Sequence, residues 1–128
     1  MNLRTPLSRV LNHGAAGEGV GHWWQQRVSA LALAPLCLWL ALSLLCLPTR
    51  DYAAVTAWIG MGVHPVLLSL TLLLAFWHAW LGIQVVIEDY VPRAGVKTAL
   101  LLLCGFAAGL LAACGVYAVL RIALRPLA

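Results

Sequence analysis

Three stretches of this chain contain no Asp, Glu, Lys or Arg: Val28–Leu47, Val63–Ile87 and Thr98–Leu120. A helix needs about 20 predominantly apolar residues to cross a hydrocarbon layer of ~30 Å, and each stretch supplies that length. Strands are excluded on two grounds. Period-two alternation is absent, and three strands cannot close a barrel in lipid, where an open edge leaves backbone groups without partners. Only 9% of the 128 residues are charged, and the mean hydropathy is +0.94. A soluble domain carries roughly a quarter charged residues, so a water-soluble globular enzyme is excluded. The net charge of +4 comes from eight scattered cations. With no cluster to neutralise phosphates, nucleic acid is excluded as a partner and membrane lipid becomes the expected surrounding.

The reading is therefore an all-α integral membrane protein with three transmembrane helices. The connections Pro48–Gly62 and Glu88–Lys97 are short, which makes neighbouring helices antiparallel. The expected architecture is an up-down-up bundle with its termini on opposite faces. Arg4, Arg9, Arg27, Arg93 and Lys97 fall on the N-terminal side, against Arg50, Arg121 and Arg125 on the other, so the N-terminus is expected in the cytoplasm. Trp23, Trp24 and Trp58 sit at span ends, as an interfacial belt requires. Residues 1–27, with Gly14, Gly17, Gly19 and Gly21, read as a cytoplasmic N-terminal segment, and 28–128 as the membrane domain. The first apolar run is too long for a signal-peptide core and has no small-residue cleavage site after it.

Cys37, Cys46, Cys104 and Cys114 all lie within spans, with neither CxxC spacing nor a haem-attachment sequence. They read as small apolar residues. Gly105-Phe-Ala-Ala-Gly109, continued by Ala112, is a small-residue strip that lets another backbone approach closely.

Of the four histidines, only His78 lies deep in lipid. An imidazole at that depth is costly and must face the protein interior with a partner. One reading is a neutral ring bonded to a Ser, a Thr or a carbonyl. The other follows from its helical face, which continues through Gly82 and Val85 to Asp89, with Tyr90 beside it. Gly82 removes the side chain that would obstruct a flat macrocycle, and Asp89 lies ~16 Å further along, at the cytoplasmic boundary. A haem b fits this stripe: His78 would be an axial ligand of the iron, and Arg27 a cation for the propionates. His64 is ~21 Å from His78 along the same helix and cannot serve the same iron. His13 and His22 precede the spans. Either the iron is five-coordinate, or another chain supplies the second ligand.

The run His78-Ala-Trp-Leu-Gly-Ile-Gln-Val-Val-Ile-Glu-Asp-Tyr90 resembles the hydrophobic anchor family of succinate dehydrogenase, the D-type cytochrome b subunit of respiratory complex II. The run His22-Trp-Trp-Gln-Gln-Arg27-Val-Ser-Ala is similar to the family's approach to its first helix. The resemblance implies that His78 is one axial ligand of haem b, with the other on the cytochrome b556-type C subunit. It implies that Tyr90 hydrogen-bonds ubiquinone with Asp89 beside it, and that Arg27 lies near the propionates and the quinone. The flavoprotein and iron–sulfur subunits would dock on the cytoplasmic face of a bacterial inner membrane, passing electrons from succinate to the quinone. Two other readings compete with this one. In the first, the chain is a cofactor-free anchor; in the second, His78, Gln84 and Asp89 form a proton path through a small transporter component. Each residue also has a plain structural role open to it. Asp89 could end a helix, Tyr90 could be an interfacial aromatic, and Arg27 a topology anchor. Gln84 is expected to hydrogen-bond a partner helix, and His64 to sit at the interface.

Overall fold

The computed structural model describes residues 16–125. They form four helices: α1 (Ala16–Leu45), α2 (Tyr52–Gly60), α3 (His64–Tyr90) and α4 (Ala94–Ala123). Among the described residues there is no strand. α1 from Gly19 onward, α3 and α4 are each long and apolar enough to cross a membrane, which makes this a multi-pass membrane protein.

α1 begins at Ala16, well before the expected span start at Val28, and runs unbroken past Pro35 to Leu45. Residues 16–27 are thus helical, where the sequence suggested a glycine-loosened tail. Glycines weaken a helix by only ~1 kcal/mol each. Against that, Trp23 and Arg27, one turn apart, hold the guanidinium 5.4 Å from the indole centroid. Arg4, Arg9 and His13 lie outside the described residues.

The connection after α1 carries α2, which hydrophobic patterning did not separate from a loop. Its start is set by Asp51, whose Oδ1 accepts from the Ala54 backbone N–H at 2.7 Å and whose Oδ2 accepts from the Thr49 hydroxyl at 3.2 Å. Gly62, at φ +53°, then turns the chain through a left-handed conformation that a side chain would resist. α3 follows directly, with proline in its first turn. Only Val91–Arg93 separate α3 from α4. Lys97 Nζ donates to the Glu88 carbonyl at 2.7 Å, so a cation from α4 satisfies the carbonyl end of α3. Gln84 also departs from expectation. Its amide donates to Glu88 Oε1 at 2.9 Å, one turn away on α3 itself, and not to a neighbouring helix.

α3 is the central element. It packs against α1 on one side and α4 on the other, while α1 and α4 do not touch. The bundle is therefore open along one side. Gln26 and Ser29 of α1 meet His78, whereas Trp39 of α1 meets His64. Trp80 meets Gly105, and Leu72 meets Gly115. Both registers run antiparallel. At the far end of α1, His64 lies 4.8 Å from the Trp58 ring and 5.8 Å from Trp39, and its Nδ1–H donates to the Trp58 carbonyl at 2.7 Å. This cluster ties α1, α2 and α3 together.

Close approach of α3 and α4 rests on glycine, though not on the whole GxxxG strip. A Cβ on Gly105 would sit 3.4 Å from the Trp80 indole, and one on Gly115 3.1 Å from Leu72 Cδ1; Gly109 has nothing within 4 Å. Gly105→Leu should therefore push Trp80 off α4 and destabilise the helix pair by about 1–3 kcal/mol, as overpacking does. Thermal unfolding of the detergent-solubilised protein measures this, and Gly109→Leu serves as the mild control.

Few side chains are buried. Leu81, Ile87, Ala112 and Val119 form the apolar contacts, while Leu31 and Phe106 are each 77% exposed. Lipid tails are as apolar as leucine, so this exposure costs nothing in a bilayer, and polar contacts and close packing decide the arrangement. The four cysteines are free.

Candidate functional site

His78 sits on the face of α3 that meets α1, and both of its ring nitrogens have partners there. Nδ1 is 2.9 Å from the Ser29 hydroxyl, and Nε2 is 3.3 Å from the Gln26 carboxamide nitrogen. Ser29 Oγ also lies 3.1 Å from the Gln26 main-chain carbonyl, so its hydroxyl links α1's own backbone to the His78 ring, and the Gln26 carboxamide, which carries both a donor and an acceptor, meets the other ring nitrogen.

This is the serine-bonded histidine that the sequence left open. Ser29 is 4% exposed, among the few buried polar residues in the described chain. Its burial is compatible with stability because its hydroxyl has partners in the Gln26 carbonyl and the His78 ring.

Gly82 lies one turn along from His78, and α1 takes the space that its missing side chain leaves. The Gln26 carboxamide lies against it: a Cβ at Gly82 would stand 3.6 Å from Gln26 Nε2. The other end of that amide, Oε1, is buried with no hydrogen-bond partner among the described residues. So is Nε2 of His22. His22, Gln26 and Ser29 are four and three residues apart, hence on one face of α1. A polar stripe on α1 thus runs opposite the His78–Gly82 stripe on α3.

The remaining expected site residues lie elsewhere. Tyr90 ends α3 and is 80% exposed, and Asp89 beside it is exposed too. Arg27 is exposed and stacks over Trp23. His78 and Gly82 are therefore brought together with α1, while Arg27 is exposed at about the depth of His78 and Asp89 and Tyr90 are exposed at the end of α3. An apolar groove of about 380 Å³ between α3 and α4, lined by Phe76, Trp80, Gly105 and Ala108, is on the other side of α3 and does not include His78.

Gln26 and Ser29 were the residues that sequence reasoning passed over. Both stand in the quoted run before the first span, yet no role was assigned to them. The available signal was their three-residue spacing on the helix expected to pack beside His78. The antiparallel register that sets them at the same depth comes only from the fold.

Comparison with known proteins bears on this arrangement. Residues 1–112 match the family described as succinate dehydrogenase/fumarate reductase transmembrane subunit. A succinate dehydrogenase hydrophobic membrane anchor subunit of Rickettsia conorii is 29% identical over 103 residues, covering 80% of this chain and 82% of that one. Its counterpart in Rickettsia felis is 32% identical over 89 residues, covering 70% and 74%. A succinate dehydrogenase membrane anchor subunit of Reclinomonas americana is 30% identical over 93 residues, covering 70% and 76%. No solved structure matches. A match across most of the chain, over three apolar helices carrying the His78–Tyr90 run, establishes that this chain belongs to the succinate dehydrogenase/fumarate reductase transmembrane subunit family.

Proposed function

We propose that this chain is the membrane anchor of a succinate:quinone oxidoreductase in the bacterial inner membrane. In this reading it contributes His78 as one axial ligand of a shared haem b, and Tyr90 and Asp89 to a ubiquinone site. The second ligand comes from the cytochrome b556-type C subunit, and the flavoprotein and iron–sulfur subunits dock on the cytoplasmic face.

The observation that carries the haem reading is an imidazole well inside the membrane-crossing α3 and oriented by α1: His78 Nδ1 lies 2.9 Å from the Ser29 hydroxyl. Beside it, Gly82 puts no side chain against α1, where the Gln26 carboxamide stands, and Nε2 of His22 and Oε1 of Gln26 are buried polar atoms without hydrogen bonds among the described residues. His78 and Gly82 would hold the group, with Arg27 able to turn from Trp23 toward an anionic edge. When bound, the haem supplies a one-electron carrier within the membrane.

The chain's own residues otherwise position and protonate. Quinone reduction consumes two electrons and two protons. The exposed Tyr90 hydroxyl can donate a hydrogen bond to a quinone carbonyl oxygen, and Asp89 beside it can exchange protons with water. Glu88 is already engaged by Gln84, and the Glu88 carbonyl by Lys97, which leaves Asp89 the unengaged carboxylate at this helix end among the described residues.

The test is purification of the tagged chain from its membrane. We expect a flavoprotein, an iron–sulfur protein and a second small membrane cytochrome to co-purify, with succinate-dependent quinone reduction and a b-type reduced-minus-oxidised α band. A stable complex with those subunits but no haem would leave the cofactor-free anchor as the function.

A further inference from the structure

We propose that the end of the bundle where α4 terminates holds one anionic phospholipid, its phosphate on Arg121 and Arg125 and an acyl chain in the groove between α2 and α4. The site is remote from His78 and Tyr90, and it stands whether or not the chain carries a haem or meets a quinone.

Three of the eight cations, Arg50, Arg121 and Arg125, stand on the side that the cation count makes non-cytoplasmic, where Lys and Arg are disfavoured. The acid at that end, Asp51, has both carboxylate oxygens engaged, by the Ala54 N–H and the Thr49 hydroxyl. The dipole of α4 accounts for a cation such as Arg121 in its last turn, and not for the cavities that the two guanidiniums line. One cavity, of about 280 Å³, is bounded by Arg121, Arg125, Tyr117 one turn before them, and Tyr52, which α2 brings across. Two guanidinium forks and two phenol hydroxyls are a donor set for phosphate oxygens.

Ile122 and Arg125 also line a second cavity, of about 740 Å³, whose opposite wall is the Ala53, Ala57 and Gly60 side of α2. These three are four and three residues apart and so share one side of the helix. A Cβ on Gly60 would meet nothing within 4 Å. Thr56 of the same wall gives its hydroxyl proton to the Tyr52 carbonyl at 2.8 Å, not to the groove. Because Ile122 and Arg125 belong to both cavities, a cationic space and an apolar one are continuous at the membrane boundary. A lipid matches both, with its phosphate in the first and a chain in the second. A free phosphate would use the first alone, and a helix of another subunit would have to bring carboxylates to cover two guanidiniums.

The test counts lipids retained by the purified, delipidated complex in native mass spectrometry. The probes are phosphatidylglycerol and phosphatidylcholine with the same acyl chains. The parent should retain one more phosphatidylglycerol than a chain carrying Arg121→Gln and Arg125→Gln, and no more phosphatidylcholine. Affinity at that site should fall roughly 10–30-fold in the double variant. Arg50→Gln removes a charge from the same end without lining either cavity, and should match the parent. Ala57→Leu fills the groove with both guanidiniums intact, and should lower phosphatidylglycerol retention severalfold. Excess inorganic phosphate should leave the lipid bound. Equal retention by the parent and the double variant overturns the site, and a loss in Arg50→Gln as large as that of the pair reduces it to diffuse surface charge. Parental retention in Ala57→Leu, or displacement by inorganic phosphate, overturns the lipid as occupant and leaves an anion site. A parent that retains neither lipid overturns the proposal in favour of a partner subunit on this face.

Discussion

Replacing His78 by Ala should abolish the low-spin b-type signature of the complex. The variant keeps the helix, since alanine is the best helix former and the position is internal to α3. It also leaves Ser29 and Gln26 in place on α1, beside the space the ring vacates. What it removes is the imidazole that α3 holds near the middle of its length. Loss of an outer hydrogen-bond partner costs a metal site about 10–100-fold in affinity, and loss of the ligand itself should cost at least that much. The measurement is a reduced-minus-oxidised absorption spectrum of the purified complex, with haem quantified against protein. Haem should be lost, or retained by the partner ligand alone in a high-spin form. An unchanged low-spin spectrum would remove His78 from the iron.

Tyr90→Phe should separate the quinone chemistry from the haem. Tyr90 is 80% exposed at the last residue of α3, twelve positions beyond His78, so its hydroxyl has no bearing on the packing around the imidazole. The phenyl ring keeps the interfacial anchor. A hydrogen bond to a group gaining negative charge contributes about 1.5–3 kcal/mol, which corresponds to roughly 10–100-fold in kcat/KM for the quinone. Succinate oxidation with a soluble artificial acceptor should remain at the parental rate, as should haem content. Full quinone reductase activity in this variant would place the quinone elsewhere, and would return Tyr90 to the role of an interfacial aromatic.

Much of the site was legible because the spans are so poor in polar groups. In a chain where 9% of residues are charged, an imidazole amid leucines stands out, and the three-and-four spacing joins it to Gly82 and Asp89 without any structure. The short helix α2 was less legible, since its start depends on one Asp51 cap that reads equally well as loop chemistry. Gln84 misled for a different reason. Glu88 lies one turn away on the same helix and satisfies the amide locally, so no partner helix is needed.

The sequence by itself determined the class, the three crossings and the ligand candidate, because hydrocarbon length and helical periodicity are local properties that residue order expresses directly. Tertiary structure decided what the His78 ring meets. That outcome depends on Ser29 and Gln26, 49 and 52 residues away in sequence, arriving at the same depth on an antiparallel helix. It also decided which glycines matter, selecting Gly105 and Gly115 over Gly109. Contacts of this kind depend on the rotation and register of one helix against another. In lipid these are set by packing and a few hydrogen bonds, with no hydrophobic stripe to announce them.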